Sequence, residues 1–179
     1  MTIISQQQQK QPYVGAGIIL TRKGANETHY LLLKGRDTGV WSFSKGHPEA
    51  WDCDAPLRTA VRETFEETGL QAGRDYRIMG NSIRFGKRPY WVGIMTEPFA
   101  NVVVCRKEHS LAGWFTWEEI CHLKANTDVR CWIKKSRGPN GQFMRLAGLS
   151  PSPSPPLSPA PETVDKQDTH LNALDHIVS

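Results

Sequence analysis

Nowhere in this chain do apolar residues run for the roughly 20 positions that a membrane-crossing helix requires. The opening MTIISQQQQKQ lacks the apolar centre of a secretory leader, and residues 1–11 are expected to be a floppy lead-in. Cysteine is scarce. Cys53, Cys105, Cys121 and Cys131 never fall at CxxC spacing, which argues against a zinc ribbon and for reduced thiols in a cytoplasmic or nuclear setting. No internal repeat is visible. Apolar residues make up 39% of the chain, and the shortage is local. From Gly148 onward the text is GLSPSPSPPLSPAPETVDKQDTHLNALDHIVS, with almost nothing to bury. Such a segment cannot offset the entropy of ordering, so residues 148–179 are expected to be a disordered Ser/Pro-rich tail. Its Ser-Pro repeats suit kinase recognition or the docking of a protein partner. Lys166 there faces Glu162, Asp165, Asp168 and Asp175, a net −3, so of the chain's +4 the remainder carries +7. A basic domain suits a polyphosphate or nucleic-acid substrate.

What is present in strength is one stretch, KGHPEAWDCDAPLRTAVRETFEETGL, from Lys45 to Leu70. Its second half reads as an amphipathic helix stopped by Gly69. With Leu57 at the centre of the apolar face, Ala60, Val61, Thr64 and Thr68 fall within about 60° of it, and Phe65 lies at the margin. Glu63, Glu66 and Glu67 then share an adjacent face, because positions three and four apart are neighbours. Carboxylates so close repel one another, and a helix shaped only for solubility would interleave lysine or arginine. A hard divalent cation, Mg²⁺ or Mn²⁺, removes that repulsion. Arg62, one turn before Glu66, is placed to orient the cluster. An isolated RExxEE is more simply a solvated acidic face; here it follows a glycine loop, Ser44-Lys45-Gly46-His47, and precedes Gly69.

That combination resembles the signature of the Nudix hydrolases, G-x5-E-x7-R-E-U-x-E-E-x-G-U, where U is a bulky apolar residue. Arg62-Glu63, Glu66-Glu67, Gly69 and Leu70 match it, with Thr64 at the first U. The upstream half departs: seven residues before Arg62 lead to Asp54, not Glu, and Gly46 lies seven residues before that instead of five. A two-residue enlargement is expected around Pro48–Asp52, which leaves the role of Asp54 open. Ser44 stands where many members have proline, and a looser loop is expected there. Among Nudix proteins the chain is most similar to the asymmetric diadenosine tetraphosphate hydrolases. AGIIL, YLLL, W-x-F-x-KGH, RETFEETGL and EHSLAGWFTWEEICHL carry that likeness. Decapping members share W-x-F-x-KG and the acidic helix.

The rest of the chain reads as strands at Tyr13–Thr21, Tyr30–Lys34, Val40–Phe43, Tyr76–Phe85, Pro89–Thr96, Asn101–Lys107 and Trp114-Phe115. The first two should pair. Helices are expected from Asp54 as N-cap with Pro56 in the first turn, at Trp117–Lys124, and at Thr127–Ser136 ending by Gly138. This order implies a mixed α/β fold. The resemblance implies the Nudix α/β/α sandwich, a mixed curved sheet with helices on both faces, in a domain spanning 12–147.

The chemistry that fits is metal-assisted attack of water on a phosphorus of a pyrophosphate link. By resemblance, Glu66, Glu67 and the Gly46 carbonyl hold metal, and Glu63 is a further ligand or the base. Arg62 holds Glu63 or Glu66 in place. Glu108, ahead of Trp114-Phe115, is expected as a ligand or base entering from a loop, whereas His109 is expected to be structural or to touch substrate. Lys45, His47 and Lys87 are candidates for substrate phosphate, although Lys45 reads equally as an exposed lysine, and Arg84, Lys87 and Arg88 read more readily as a solvated hairpin tip than as a site. Tyr90 or Trp41 is the candidate for stacking a nucleobase; Trp41, Trp91, Trp114 and Trp132 are expected mostly in the core. The leading substrate is a nucleoside polyphosphate, dinucleoside tetraphosphate first. Capped RNA comes second, inositol pyrophosphate third, and a silent module that binds RNA or protein last, since such modules lose glutamates that this chain retains. Deleting Leu149–Ser179 is expected to leave hydrolysis and melting temperature nearly unchanged; a large fall in melting temperature would move the domain boundary.

Overall fold

The computed structural model describes residues 13–85, 88–97 and 100–136. The strands are β1 (Ala16–Lys23), β2 (Thr28–Gly35), β3 (Trp41–Ser42), β4 (Ser44–Gly46), β5 (Tyr76–Phe85), β6 (Arg88–Met95) and β7 (His109–Phe115). The helices are α1 (Pro56–Thr68), α2 (Trp117–His122) and α3 (Thr127–Ser136), with a 3₁₀ turn at Ala50–Asp52. One seven-stranded sheet runs β3-β2-β1-β6-β5, with β4 also on β1 and β7 also on β2. It is mixed and open: β1 and β6 are parallel, and the other pairs are antiparallel.

β1 and β2 are apolar without alternation because both of their faces are covered. Ile19, Tyr30 and Leu32 point to one core with Phe43, Val92, Ile120, Val129 and Trp132, under α2 and α3. Their neighbours Ile18, Leu20 and Leu31 point to the other, with Ala60, Leu70 and Tyr76, against α1. Helices therefore lie on both faces of an α/β sheet. The expected pairing of the first two strands holds, with Thr21 opposite Tyr30. Gly17 has a specific reason to lack a side chain: a Cβ there would meet the Ser44 carbonyl and stand 2.5 Å from the Tyr90 ring.

Four expectations are corrected. α1 does not bury Leu57 and Phe65, which are 38% and 53% exposed. It turns Thr59, Ala60, Thr64 and Thr68 inward, short side chains that let it lie close to β1 and β4. The threonine hydroxyls are satisfied locally: Thr64 donates to the Ala60 carbonyl (2.8 Å) and Ser44 donates to Thr64 (3.1 Å). Ser44 thus ties β4 to the helix and leaves no looseness. Asp54 is not the N-cap. Ala55 holds that position without a side-chain cap, while Cys53 and Asp54 both have φ near +52°. Residues 101–105 form no strand. The amides of Val103 and Cys105 instead donate to the Thr68 and Glu67 carbonyls (2.9 and 3.0 Å), closing groups that the end of α1 leaves unpaired.

Trp132 is fully buried against Tyr30, Phe43 and Trp117, with ring centroids 4.9, 5.3 and 4.9 Å away. Trp132→Ala is therefore expected to cost about 3–5 kcal/mol of stability in urea titration. A loss well below that would show that the site collapses around the deletion.

Candidate active site

Two elements meet at the site: the inner face of α1 and the edge where β4 lies on β1. Glu67 is buried (2% exposed), so its carboxylate requires partners. The Lys45 amide donates to one oxygen (3.0 Å), and His109 Nε2 lies 2.9 Å from the other. Donation by the Nε2–H orients the imidazole against this carboxylate. Cys105 N meets the same residue's carbonyl, so Glu67 is gripped through backbone and side chain.

Arg62 holds the opposite side. Its Nε and NH2 reach both oxygens of Asp52 (3.2 and 3.1 Å), and NH2 also donates to the His47 carbonyl (2.8 Å). Its NH1 donates to Glu63 (3.0 Å) and Glu66 (2.9 Å). Asp52 is buried and also accepts from the Glu49 amide (2.9 Å) and the Thr59 hydroxyl (2.7 Å). Burial opposes its ionisation, but the bonds from Arg62, Glu49 and Thr59 prevail and hold its pKa down to about 2.

Asp52 relocates the loop enlargement. Five residues separate Gly46 from Asp52, as the signature separates its glycine and first glutamate, and Asp52 carries the bidentate bond to Arg62. The two extra residues fall after it, at Cys53-Asp54, where the backbone turns left-handed; they do not fall within Pro48–Asp52. Asp54 is exposed and Asp52 is the carboxylate of the motif. The glycine-to-Asp52 spacing held that signal.

A cleft of about 390 Å³ collects Lys45, Gly46, His47, Glu49, Glu63, Glu67, Arg88, Glu108 and His109. Most of the candidate residues thus converge. Gly46 must be glycine because the Glu63 carboxyl occupies the place of a Cβ. Glu66 is exposed and turned to Arg62 beside this cleft. Tyr90 is corrected: it is 1% exposed, its hydroxyl donates to Asp128 (2.7 Å), and burial followed by the Asp128 charge pushes its pKa up. A ring so enclosed has no face for a base. Lys87 lies outside the described residues. Arg88, passed over as part of a hairpin tip, lines the cleft with Asp128 3.4 Å from its guanidinium; its period-two position in β6 was the available signal.

The donor set fits a divalent cation. Burial first, then the charges of Glu67 and Glu66, raise the pKa of Glu63 against the lowering effect of Arg62. Glu67, Glu108 and His109 each present a ligand atom within 4.8 Å of the others. A hard cation relieves such crowding.

The NUDIX domain model matches residues 11–135. The chain belongs to the Nudix family. Among similar proteins, the asymmetrical bis(5'-nucleosyl)-tetraphosphatase of Sus scrofa is 31% identical over 116 residues, 59% of this chain and 76% of that one. Its Mus musculus counterpart is 28% identical over the same length. A Caenorhabditis elegans Ap4A hydrolase in a binary complex superposes with a TM-score of 0.57 at 22% identity, covering 68% of this chain and 93% of that one. The NUDIX domain of Shewanella oneidensis NrtR, complexed with ADP ribose, gives 0.52 at 15% identity over 72% and 88%. At those identities the structural likeness is one of fold. No helix among the described residues of this Nudix chain is long and apolar enough to cross a membrane.

The Asp52 pKa lies below the ordinary 3.8, so its contribution to stability is complete above about pH 5 and is lost as pH falls through the folded value. Asp52→Asn is expected to lower the melting temperature at pH 7 and to flatten its fall between about pH 4 and 2. An unchanged acid slope would show that Asp52 is not coupled to folding through Arg62.

Proposed function

We propose that this Nudix pyrophosphohydrolase uses Mg²⁺ or Mn²⁺ to cleave a nucleoside polyphosphate, with a dinucleoside tetraphosphate as preferred substrate. The observation that carries the reading is the meeting of opposite charges in one cleft: Glu63, Glu67 and Glu108 line it together with Lys45 and Arg88. Carboxylates for a metal and cations for phosphate oxygens are what hydrolysis of a phosphoanhydride needs side by side. The names of the curated relatives support the choice of a dinucleoside tetraphosphate.

Glu67, Glu108 and the Gly46 carbonyl would hold the cation, with Glu63 beside them in the same cleft and Glu66 held by Arg62. When bound, it neutralises phosphate charge and acidifies a coordinated water. The protein does the rest. Glu67 is oriented by the Lys45 amide and His109, so it meets its ligand without rearranging. Glu63, whose raised pKa reflects burial, accepts the proton of the attacking water. Lys45 and Arg88 bind phosphate oxygens on either side of the scissile link, and Asp128 keeps Arg88 aimed.

Capped RNA is less well supported. A track for RNA needs free basic side chains, and Lys135 is occupied: its ammonium donates to the Arg84 carbonyl (2.8 Å) and lies 5.5 Å over the Phe85 ring. A binding-only role leaves the paired glutamates without a use. A hydrolysis screen with metal, covering dinucleoside polyphosphates, capped RNA, nucleotide sugars and inositol pyrophosphates, tests the substrate. Glu67→Gln is expected to lower the turnover of the preferred substrate by at least about a hundredfold. Full activity in that variant would sink the assignment.

A further inference from the structure

Beside the catalytic cleft lies a second pocket of about 470 Å³, and Lys45 and His109 form the wall between them. The two differ in charge. Glu49, Glu63, Glu67 and Glu108 line the first; no carboxylate lines the second. It gathers Lys45, Lys124 and Arg130 instead, and none of these has an ion-pair partner among the described residues. Asn126 and Thr127, which also line it, lie at the N-terminus of α3, Thr127 as its first residue and Asn126 just before it with its Oδ1 accepting from the Val129 amide (2.9 Å); the helix dipole there favours an anion. The acidic side chain of that turn, Asp128, does not line the pocket: it is buried and bonded to Tyr90 and Arg88. No Phe, Tyr or Trp is among the residues that line the pocket, and the His109 ring is buried with its Nε2 on Glu67, so the pocket offers little for a nucleobase to stack on.

We propose that this pocket is a phosphate subsite, which takes the part of a long polyphosphate chain lying beyond the bond that is cut. Resting on the proposed function, the inference makes Lys124 and Arg130 the residues that select for chain length. A substrate with only two phosphates is held at the metal and at Lys45; one with four or more continues past Lys45 and His109 into the cationic pocket. Each charge-assisted contact to phosphate there is strong enough to change affinity about tenfold.

Binding can be read without catalysis. In EDTA the bare carboxylates of the cleft repel anions, so calorimetric binding of inorganic tripolyphosphate reports on the cationic pocket. The full-length chain is expected to bind it. Lys124→Ala/Arg130→Ala is expected to bind at least tenfold more weakly, with a shallower salt dependence and an unchanged melting temperature, since both side chains are exposed. The ratio of kcat/KM for diadenosine tetraphosphate over diadenosine diphosphate should fall by a similar factor. Lys23→Ala/Arg77→Ala, which removes the same charge from exposed positions outside either pocket, serves as control. No tripolyphosphate binding by the parent, or an equal loss in the control, overturns the proposal. If the parent binds tripolyphosphate through Lys124 and Arg130 but leaves dinucleoside tetraphosphates uncut, the assigned substrate fails and the subsite stands.

Discussion

The bidentate bond between Arg62 and Asp52 is the constraint on which the site depends. It joins the loop to the helix at a point where both partners are largely shielded from water, so screening is weak and the geometry is fixed by the guanidinium fork. The same side chain then distributes its remaining donors to Glu63, Glu66 and the His47 carbonyl. Without that one cation, three glutamates within two turns of helix would spread apart, and the Glu63 carboxyl would lose its place against Gly46. Lysine could not substitute, since one ammonium lacks the planar set of donors that reaches three carboxylates and a carbonyl.

Much of this was legible in the sequence, and the failures share a physical cause. The acidic helix, its glycine stop and its match to the Nudix signature depend on local spacing, which survives folding unchanged. The apolar face was mis-centred because hydropathy ranks Leu57 and Phe65 above threonine. Close packing of α1 on β1 and β4 instead rewards small side chains, and a threonine hydroxyl that bonds its own helix loses little on burial. The loop was misread by counting backward from Arg62, where the insertion lies, rather than forward from Gly46. Val102-Val103-Val104 has every mark of a strand, yet these residues are used to close the end of a helix. Strand propensity records an extended backbone and says nothing of which hydrogen-bond partner is on offer. Tyr90 reads as a candidate to stack a nucleobase because neither Asp128 nor Gly17, which enclose it, is near it in the sequence.

The same arrangement separates tasks by depth. Asp52 and Glu67 are buried, Glu63 is partly buried, and Glu66 and Glu108 face solvent. Asp52 is spent on holding Arg62; Glu67 is fixed by one bond to each oxygen and keeps a lone pair on each, while the exposed glutamates are free to move. The sheet supplies the deep layer, since β4 delivers both the Lys45 amide and the Gly46 carbonyl from one short pairing with β1.

Residues 102–109 bind Thr68, Glu67 and then their own turn, with the His109 amide on the Cys105 carbonyl. The last turn of α1 and this strap therefore form one closed ring of bonds. Opening it anywhere exposes the rest, which makes the two a single cooperative unit of local unfolding. The carboxylates at either end, Glu67 and Glu108, are far apart in the chain but share one opening equilibrium. Damage to any rung of that ring, even at Val103 on the surface, should be felt as loss of order at both.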